Sequence, residues 1–195
     1  PDYDEAIAFY VGVLGFTQVE DMPTAEPGKR WVVVAPPGAT ESRLLLARAA
    51  HALSIPVIGT EQNPAGLGPC VEPIRSACQL TLAKTHFDAC ADGLVQALHD
   101  ARPGGSEVVI AGCEAHVCLL QTALGLRRAG KVLWVVAPAC GSRAASDHAL
   151  AMQRLRDAGA VIVGTEMVLF EWLHDCRHPR FREVLALVKS QPTRP

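Results

Sequence analysis

The sequence predicts an α/β protein built on an open, doubly wound parallel sheet with helices on both faces, preceded by a small α+β segment. Short apolar runs alternate with helical windows from about residue 50 onward. Residues 132–136 are apolar at every position, which is typical of strands that helices cover on both faces. The chain has 195 residues, 49% of them hydrophobic and 19% charged, which suffices for one packed domain and part of another. We therefore divide it into 1–50 and 51–195.

The first 50 residues predict a helix and then a strand. Apolar residues recur at helical spacing over residues 2–14, with acidic residues in the first turn. The β-branched run at 30–35 predicts a strand. Residues 42–53 allow two interpretations, because the leucines at 44–46 fit a strand whereas the alanines around them favour a helix.

Beyond residue 50 the pattern alternates strands with helices. Open parallel sheets bind their ligands at the carboxyl ends of the strands, so residues directly after strands are the first functional candidates. The predicted strands lie at 56–59, 107–111, 131–137 and 160–165, and the predicted helices lie at 72–78, 93–99, 117–129, 146–157 and 166–188.

The charge and hydropathy patterns argue against two classes of partner. The net charge is −2, and no basic run is longer than the pair Arg127 and Arg128, so we expect no nucleic-acid partner. The longest apolar stretch, 132–140, is about half the ~20 residues of a membrane-spanning helix, so we expect no membrane partner. The N-terminal residues are acidic, unlike the basic start of a signal peptide, and we expect a cytoplasmic protein.

The cysteine and histidine patterns do not predict a metal site. Seven cysteines occur at irregular spacing and without a Cys-x-x-Cys pair, so neither a disulfide framework nor a zinc site is expected. His116 has no second histidine or carboxylate at helical ligand spacing, and a structural role fits it better than that of a base or metal ligand. We expect no metal ion and no cofactor.

Cys118 is the strongest candidate for chemistry. The predicted strand at 107–111 runs into Gly112, and Cys118 then lies near the start of a predicted helix. The helix dipole and the free amide hydrogens of a first turn favour a thiolate, which is the nucleophilic form of cysteine. The alternative is that Cys118 is one of several small buried residues with no reactive role.

The residues around Cys118 resemble a known family. The sequence Gly-Cys-Glu-Ala-His-Val-Cys at 112–118, with Gln-Thr-Ala-Leu at 121–124, resembles the nucleophile motif of the isochorismatase-like cysteine hydrolases, relatives of nicotinamidase. The resemblance extends over about residues 50 to 190 and implies a Rossmann-like, three-layer fold. It also implies hydrolysis of a small amide or related small molecule without a cofactor. Further matching blocks lie at 55–57, 60–64, 66–68, 84–87, 141–143, 166–170 and 178–181.

The resemblance assigns roles to individual residues. It implies that Cys118 is the nucleophile and that Lys84 stabilises its thiolate. It also implies a non-proline cis peptide bond between Cys113 and Glu114, which turns the backbone amides of Glu114 and Cys118 toward an oxyanion.

The segment Thr60, Glu61 and Gln62 follows a predicted strand and is expected to border the substrate pocket. Its alternative role is turn formation together with the proline and glycine that come after it.

One catalytic residue of the family lacks a clear counterpart. The family carries an aspartate at the end of its first strand as the base for the thiol proton, but the strand at 30–35 ends in Ala-Pro-Pro. Asp21, about 40 residues before Thr60, is the remaining candidate for that base.

Residues 1–50 resemble part of a glyoxalase/bleomycin-resistance (vicinal oxygen chelate) module instead. In that family the first strand carries a histidine metal ligand, and this strand would precede Pro1. The chain thus resembles a fusion of two partial modules.

Three functions follow from these patterns. The first is a cysteine hydrolase with a small-molecule substrate. The second is a catalytically impaired scaffold or oligomerisation protein that retains the hydrolase fold. The third is a metal-dependent glyoxalase-type fragment. We also expect a homo-oligomer, because an incomplete first module would leave a strand edge exposed.

Overall fold

The computed structural model describes residues 3–13, 17–23, 27–28, 30–35 and 39–190. It confirms the predicted α/β class, with parallel strands flanked by helices. None of the described helices is long and apolar enough to cross a membrane. The strands are β1 Thr17–Pro23, β2 Arg30–Ala35, β3 Ile58–Gln62, β4 Leu80–Lys84, β5 Glu107–Cys113, β6 Val132–Gly141 and β7 Val161–Val163. The helices are α1 Tyr3–Ile7, α2 Ala39–Ala52, α3 Pro64–Leu67, α4 Glu72–Arg75, α5 Leu94–Ala101, α6 Leu120–Arg128, α7 Ala145–Asp157, α8 Thr165–Leu173 and α9 Phe181–Lys189.

The N-terminal segment forms a helix and a hairpin. Helix α1 continues into a π-helical turn at Ala8–Val13, and β1 pairs with β2 in antiparallel register. The predicted helix and the predicted strand at 30–35 are therefore confirmed over the described residues. Strand β1 was not predicted. The resemblance of residues 1–50 to a vicinal oxygen chelate module stays a prediction.

The ambiguous stretch at 42–53 is helical, because it lies within α2. Leu45, Leu46 and Ala49 are buried there, at the spacing that places side chains on one face of a helix. This face packs against β6 and α9. Burial of the leucine stripe thus decides between the two interpretations in favour of the helix.

Two strands differ from the prediction in a way that affects the site. Strand β3 spans Ile58–Gln62 rather than 56–59, so Thr60, Glu61 and Gln62 form the end of the strand instead of following it. Strand β4 was missed; its burial does not alternate along the strand, since Leu80 is exposed while Lys84 at the other end is buried. It pairs with β3 in parallel.

The prediction of a continuous helix over 166–188 is wrong, because two separate helices occur in this range. Helix α8 ends at Leu173, and α9 begins at Phe181. His174 has a positive φ of 60°, with which an α-helix cannot continue, so the first helix ends there. The connecting segment also contains Asp175, whose carboxylate accepts hydrogen bonds from Arg177.

The parallel strands form two hydrogen-bonded groups, β3 with β4 and β5 with β6 and β7. Both groups contribute to one core, because Ile58, Leu82, Val108 and Ile110 pack against the same buried cluster. A second cluster lies on the other face of β5 and β6, under α2, α8 and α9. Among the described strands, none pairs with the edge of β5 that faces away from β6.

Candidate active site

The carboxyl ends of β3, β4 and the segment after β5 bring three side chains together. Gln62 and Lys84 are direct partners in the parallel register of β3 and β4. Lys84 Nζ donates a hydrogen bond to Gln62 Oε1, and Cys118 Sγ lies 3.8 Å from the same oxygen. The two residues expected to carry the chemistry, Cys118 and Lys84, therefore meet at Gln62.

Lys84 is a buried cation with neutral partners. Its side chain is 4% exposed. Besides Gln62, its ammonium donates to the main-chain oxygens of His86 at 3.0 Å and Phe87 at 3.3 Å. No carboxylate of the described residues lies within ion-pairing distance of Nζ. A buried charge without a counter-charge is costly, so this position favours an anion beside it.

Cys118 lies in a wide helical turn. The π-helical turn Ala115–Leu119 precedes α6, and both Val117 and Leu119 donate their amide hydrogens to the Glu114 carbonyl oxygen at 3.2 Å. Such turns are frequent at functional sites. The peptide bond between Cys113 and Glu114 is cis, as the resemblance implied.

A polar cluster holds this turn against the loop after β6. His116 Nδ1 lies 3.0 Å from Ser142 Oγ and 3.7 Å from Glu114 Oε2, while Nε2 lies 3.8 Å from Asp147 Oδ2. Glu114 Oε2 also accepts the amide hydrogen of Arg143 at 2.9 Å. These contacts fit the structural role expected for His116. The carboxylates around it were missed, because Asp147 is distant in sequence and Glu114 is not at helical ligand spacing.

The described contacts of Thr60 and Glu61 are with Cys70 and with Arg75 of α4, and none of them is with Cys118. Glu61 is 6% exposed, and its Oε1 accepts hydrogen bonds from the Cys70 amide and from Arg75 Nε, both at 3.0 Å. The Thr60 carbonyl oxygen lies 3.4 Å from Cys70 Sγ. Successive side chains of a strand point to opposite faces, so Gln62 faces Cys118 while Glu61 faces away.

Asp21 is engaged in the N-terminal hairpin. Its carboxylate accepts hydrogen bonds from Arg30, one of them from Nε at 2.8 Å, and this hydrogen bonding lowers the pKa of Asp21. Among the described contacts, none joins Asp21 to Cys118 or Lys84. A carboxylate with a lowered pKa is a weaker base, so the pairing with Arg30 weighs against a role in deprotonating Cys118.

Four of the other cysteines are thiols whose pKa is raised by burial. Burial raises the pKa of Cys70 to about 11 and the pKa values of Cys90 and Cys140 to about 12, and it also raises the pKa of Cys78. These four thiols stay protonated at neutral pH. Cys113 and Cys176 are exposed, and Cys113 Sγ accepts a hydrogen bond from Arg43 Nη1 at 3.1 Å. Within the described ranges, no group of three or more His, Cys, Asp or Glu residues could hold a metal ion.

Comparison with known proteins shows the family. The family model described as the Isochorismatase domain matches residues 37–167, a span that includes α2 and the whole candidate site. The chain therefore belongs to the isochorismatase family, and the sequence-based resemblance is confirmed at this level.

Two relatives and two solved structures illustrate the similarity. Isochorismatase domain-containing protein 2 of Bos taurus is 39% identical over 143 residues, covering 73% of this chain and 69% of the relative. Isochorismatase domain-containing protein 1 of Danio rerio is 38% identical over 145 residues, covering 74% and 51%. The structure of the MAR1 ribonuclease from Caenorhabditis elegans has a TM-score of 0.73 at 33% identity, covering 80% and 82%. A Trypanosoma cruzi protein has a TM-score of 0.68 at 30% identity, covering 81% and 86%.

Proposed function

We propose that this chain is a cysteine hydrolase that acts on a small amide or a related small molecule, with Cys118 as the nucleophile. The observation that carries the proposal is the meeting of Cys118 with the buried ammonium of Lys84 at Gln62. Lys84 has only neutral partners among the described residues. A thiolate at Cys118 therefore supplies the negative charge that the Lys84 ammonium otherwise lacks.

The proposed reaction passes through a covalent intermediate. The Cys118 thiolate attacks the amide carbonyl carbon, and the oxyanion that forms is held by the backbone amides of Glu114 and Cys118. The C–N bond then breaks, the amine leaves with a proton from solvent, and a thioester remains. Water attacks the thioester, which releases the acid and restores the thiol. Neither a metal ion nor a cofactor takes part in these steps.

Alkylation of Cys118 tests the activated thiol. We expect iodoacetamide to label Cys118 with a half-maximal pH below the ~8.5 of a free thiol. Lys84→Met should raise that pH by roughly one unit, because the nearby cation is removed. Digestion after glutamate and after arginine isolates Cys118 in a peptide spanning 115–127, apart from Cys113.

Two comparisons complete this test. Lys131→Met is the matched control, because Lys131 Nζ bonds the Gly105 carbonyl oxygen away from the site. Ammonia release from a panel of small primary amides should be lost in Cys118→Ala. If Cys118 titrates as a free thiol and Lys84→Met leaves its alkylation unchanged, the proposed function is wrong.

The second candidate function is a scaffold that keeps the hydrolase fold without its activity. Its support is that no carboxylate of the described residues contacts Cys118 or Lys84, so the site lacks a group to take the thiol proton. Loss of a proton-transfer group typically costs ~10²–10⁴ in rate. A reactive Cys118 in a protein that hydrolyses no amide of the panel would favour this function.

A further inference from the structure

The side-chain amide oxygen of Gln62 lies between the Lys84 ammonium and the Cys118 thiol, the two groups that the proposed reaction needs. Gln62 Oε1 accepts a hydrogen bond from Lys84 Nζ and lies 3.8 Å from Cys118 Sγ. We infer from this geometry that Gln62 is a positioning residue, which holds the Lys84 ammonium beside Cys118 so that the thiolate forms next to a cation. The inference rests on the proposed function, because it assigns a role within that reaction.

The side-chain amide of Gln62 has one orientation that satisfies its neighbours. Its Nε2 donates to the Thr85 carbonyl oxygen at 2.7 Å, while its Oε1 faces the ammonium of Lys84. The opposite orientation would set the amide NH₂ against an ammonium, which only donates, and the amide oxygen against a carbonyl, which only accepts. The Thr85 carbonyl therefore keeps Gln62 Oε1 directed at Lys84.

The pairing of β3 with β4 places the Gln62 side chain within hydrogen-bonding distance of Lys84. Gln62 and Lys84 are paired positions in the parallel register, and neighbouring strands are about 4.8 Å apart. The other two acceptors of the ammonium are main-chain oxygens of the segment that follows β4 itself. Of the described side chains, only that of Gln62 accepts a hydrogen bond from Nζ, and it draws the ammonium toward Cys118.

A neutral acceptor suits this role better than a charged one. The amide oxygen takes up no proton at neutral pH and does not compete as an anion for the charge of Lys84. A carboxylate at the same place would pair with Lys84 and repel a thiolate at Cys118. When Cys118 loses its proton to solvent, its hydrogen bond to Gln62 ends, while the ammonium is still held at the same amide oxygen.

Two substitutions test the role of Gln62. Gln62→Met keeps the length of the side chain and removes the acceptor, so we expect the rate of Cys118 alkylation at pH 7 to fall roughly tenfold. Gln62→Glu is isosteric and adds a negative charge, so the pH of half-maximal alkylation should rise above that of the unmodified protein. A purely structural role would lower thermal stability and leave this pH unchanged, so thermal unfolding is measured in parallel.

Gln79→Met is the matched control, since Gln79 is exposed and lies just before β4, at the opposite end of that strand from Lys84. We expect it to alkylate like the unmodified protein. If Gln62→Met and Gln62→Glu keep the normal rate and pH dependence while Lys84→Met does not, the role of Gln62 is refuted and the proposed function stands. If Lys84→Met also has no effect, the proposed function fails as well. Should Gln62→Met fail to fold, Gln62→Leu removes the same acceptor without adding a charge, and its alkylation rate at pH 7 decides the question.

Discussion

At the scale of single residues, the site depends on which groups contact the buried ammonium of Lys84. Glu61, the carboxylate closest in sequence to Gln62, is held by Arg75 and by the Cys70 amide, so it leaves the Lys84 ammonium with neutral partners. An ammonium buried in this way stabilises any anion that approaches it. The thiol of Cys118 is the group of the described site that can become that anion.

Replacement of Gly125 should destabilise the protein near this site. A Cβ at position 125 would lie 2.4 Å from both carboxylate oxygens of Asp88, closer than real contacts allow. Asp88 Oδ1 accepts the amide hydrogen of Cys90 at 2.9 Å, and Oδ2 accepts from Arg128 at 3.0 Å. We expect Gly125→Ala to lower the free energy of unfolding by about 1–3 kcal/mol, measured by urea denaturation.

The double variant Asp88→Ala/Gly125→Ala tests whether a clash with Asp88 causes the loss of stability. In an Asp88→Ala background the clash is absent, so Gly125→Ala should cost much less, and the two changes should not be additive. Asp88 follows Phe87, whose carbonyl oxygen accepts from Lys84, so alkylation of Cys118 reports whether the disturbance extends to the site. An equal cost in both backgrounds would refute the contact with Asp88 as the cause.

At the scale of elements, the loops after β5 and β6 are joined by side chains rather than by backbone pairing alone. Ser142 is 4% exposed and contacts the His116 ring, and the Arg143 amide donates to Glu114. Helix α7 adds Asp147 near the other ring nitrogen. These contacts fix the turn that carries Cys118 against the loop after β6.

Removal of the Ser142 hydroxyl should weaken this connection. We expect Ser142→Ala to lower the free energy of unfolding by about 1 kcal/mol, because the buried Ser142 hydroxyl loses its part-buried hydrogen bond to His116. Ser190→Ala is the control, since the exposed Ser190 hydroxyl donates only to the nearby Leu187 carbonyl oxygen. Urea denaturation of both variants provides the comparison, and an equal effect at the two positions would contradict the role of Ser142.

Several helices and the longer strands of residues 39–190 could be predicted locally, but the end of β3 and the whole of β4, both near the site, could not. Apolar periodicity identifies α6 and α7 because each buries one continuous stripe. Strand β4 has only five residues, and β3 extends through polar Thr60, Glu61 and Gln62. Such polar strand ends carry no apolar pattern, since pairing with the neighbouring strand is what holds them extended.

At the scale of the whole molecule, two groups of parallel strands share a core without pairing to each other. Ile58 of β3 and Ile110 of β5 pack on the same cluster, yet no described strand joins these two edges. The apolar positions of β5 are only half-buried, whereas Leu133 and Val135 of β6 are fully buried. An apolar strand with an open edge is a place where further pairing can occur.

Hydrogen exchange should distinguish β5 from β6. In a parallel strand about half of the amides point toward each neighbour, so we expect about half of the β5 amides to exchange quickly, while Trp134 and Val135 of β6, which pair with both β5 and β7, are protected. Mass spectrometry of peptides from these two strands measures the difference. Protection of β5 that rises with protein concentration would support the expected homo-oligomer. Equally strong protection of both strands in dilute protein would contradict an open edge.

The sequence by itself determined the α/β pattern of residues 39–190, the identity of the family and the position of Cys118 at the beginning of a helix. These features depend on local periodicity and on a contiguous motif. Only the tertiary structure decided that the Gln62 oxygen, and not the Glu61 carboxylate, meets Lys84 and Cys118, which lie 22 and 56 residues away along the chain. The reason is physical: the register of β3 with β4 and the alternation of side chains along β3 select which of two neighbouring residues faces the site.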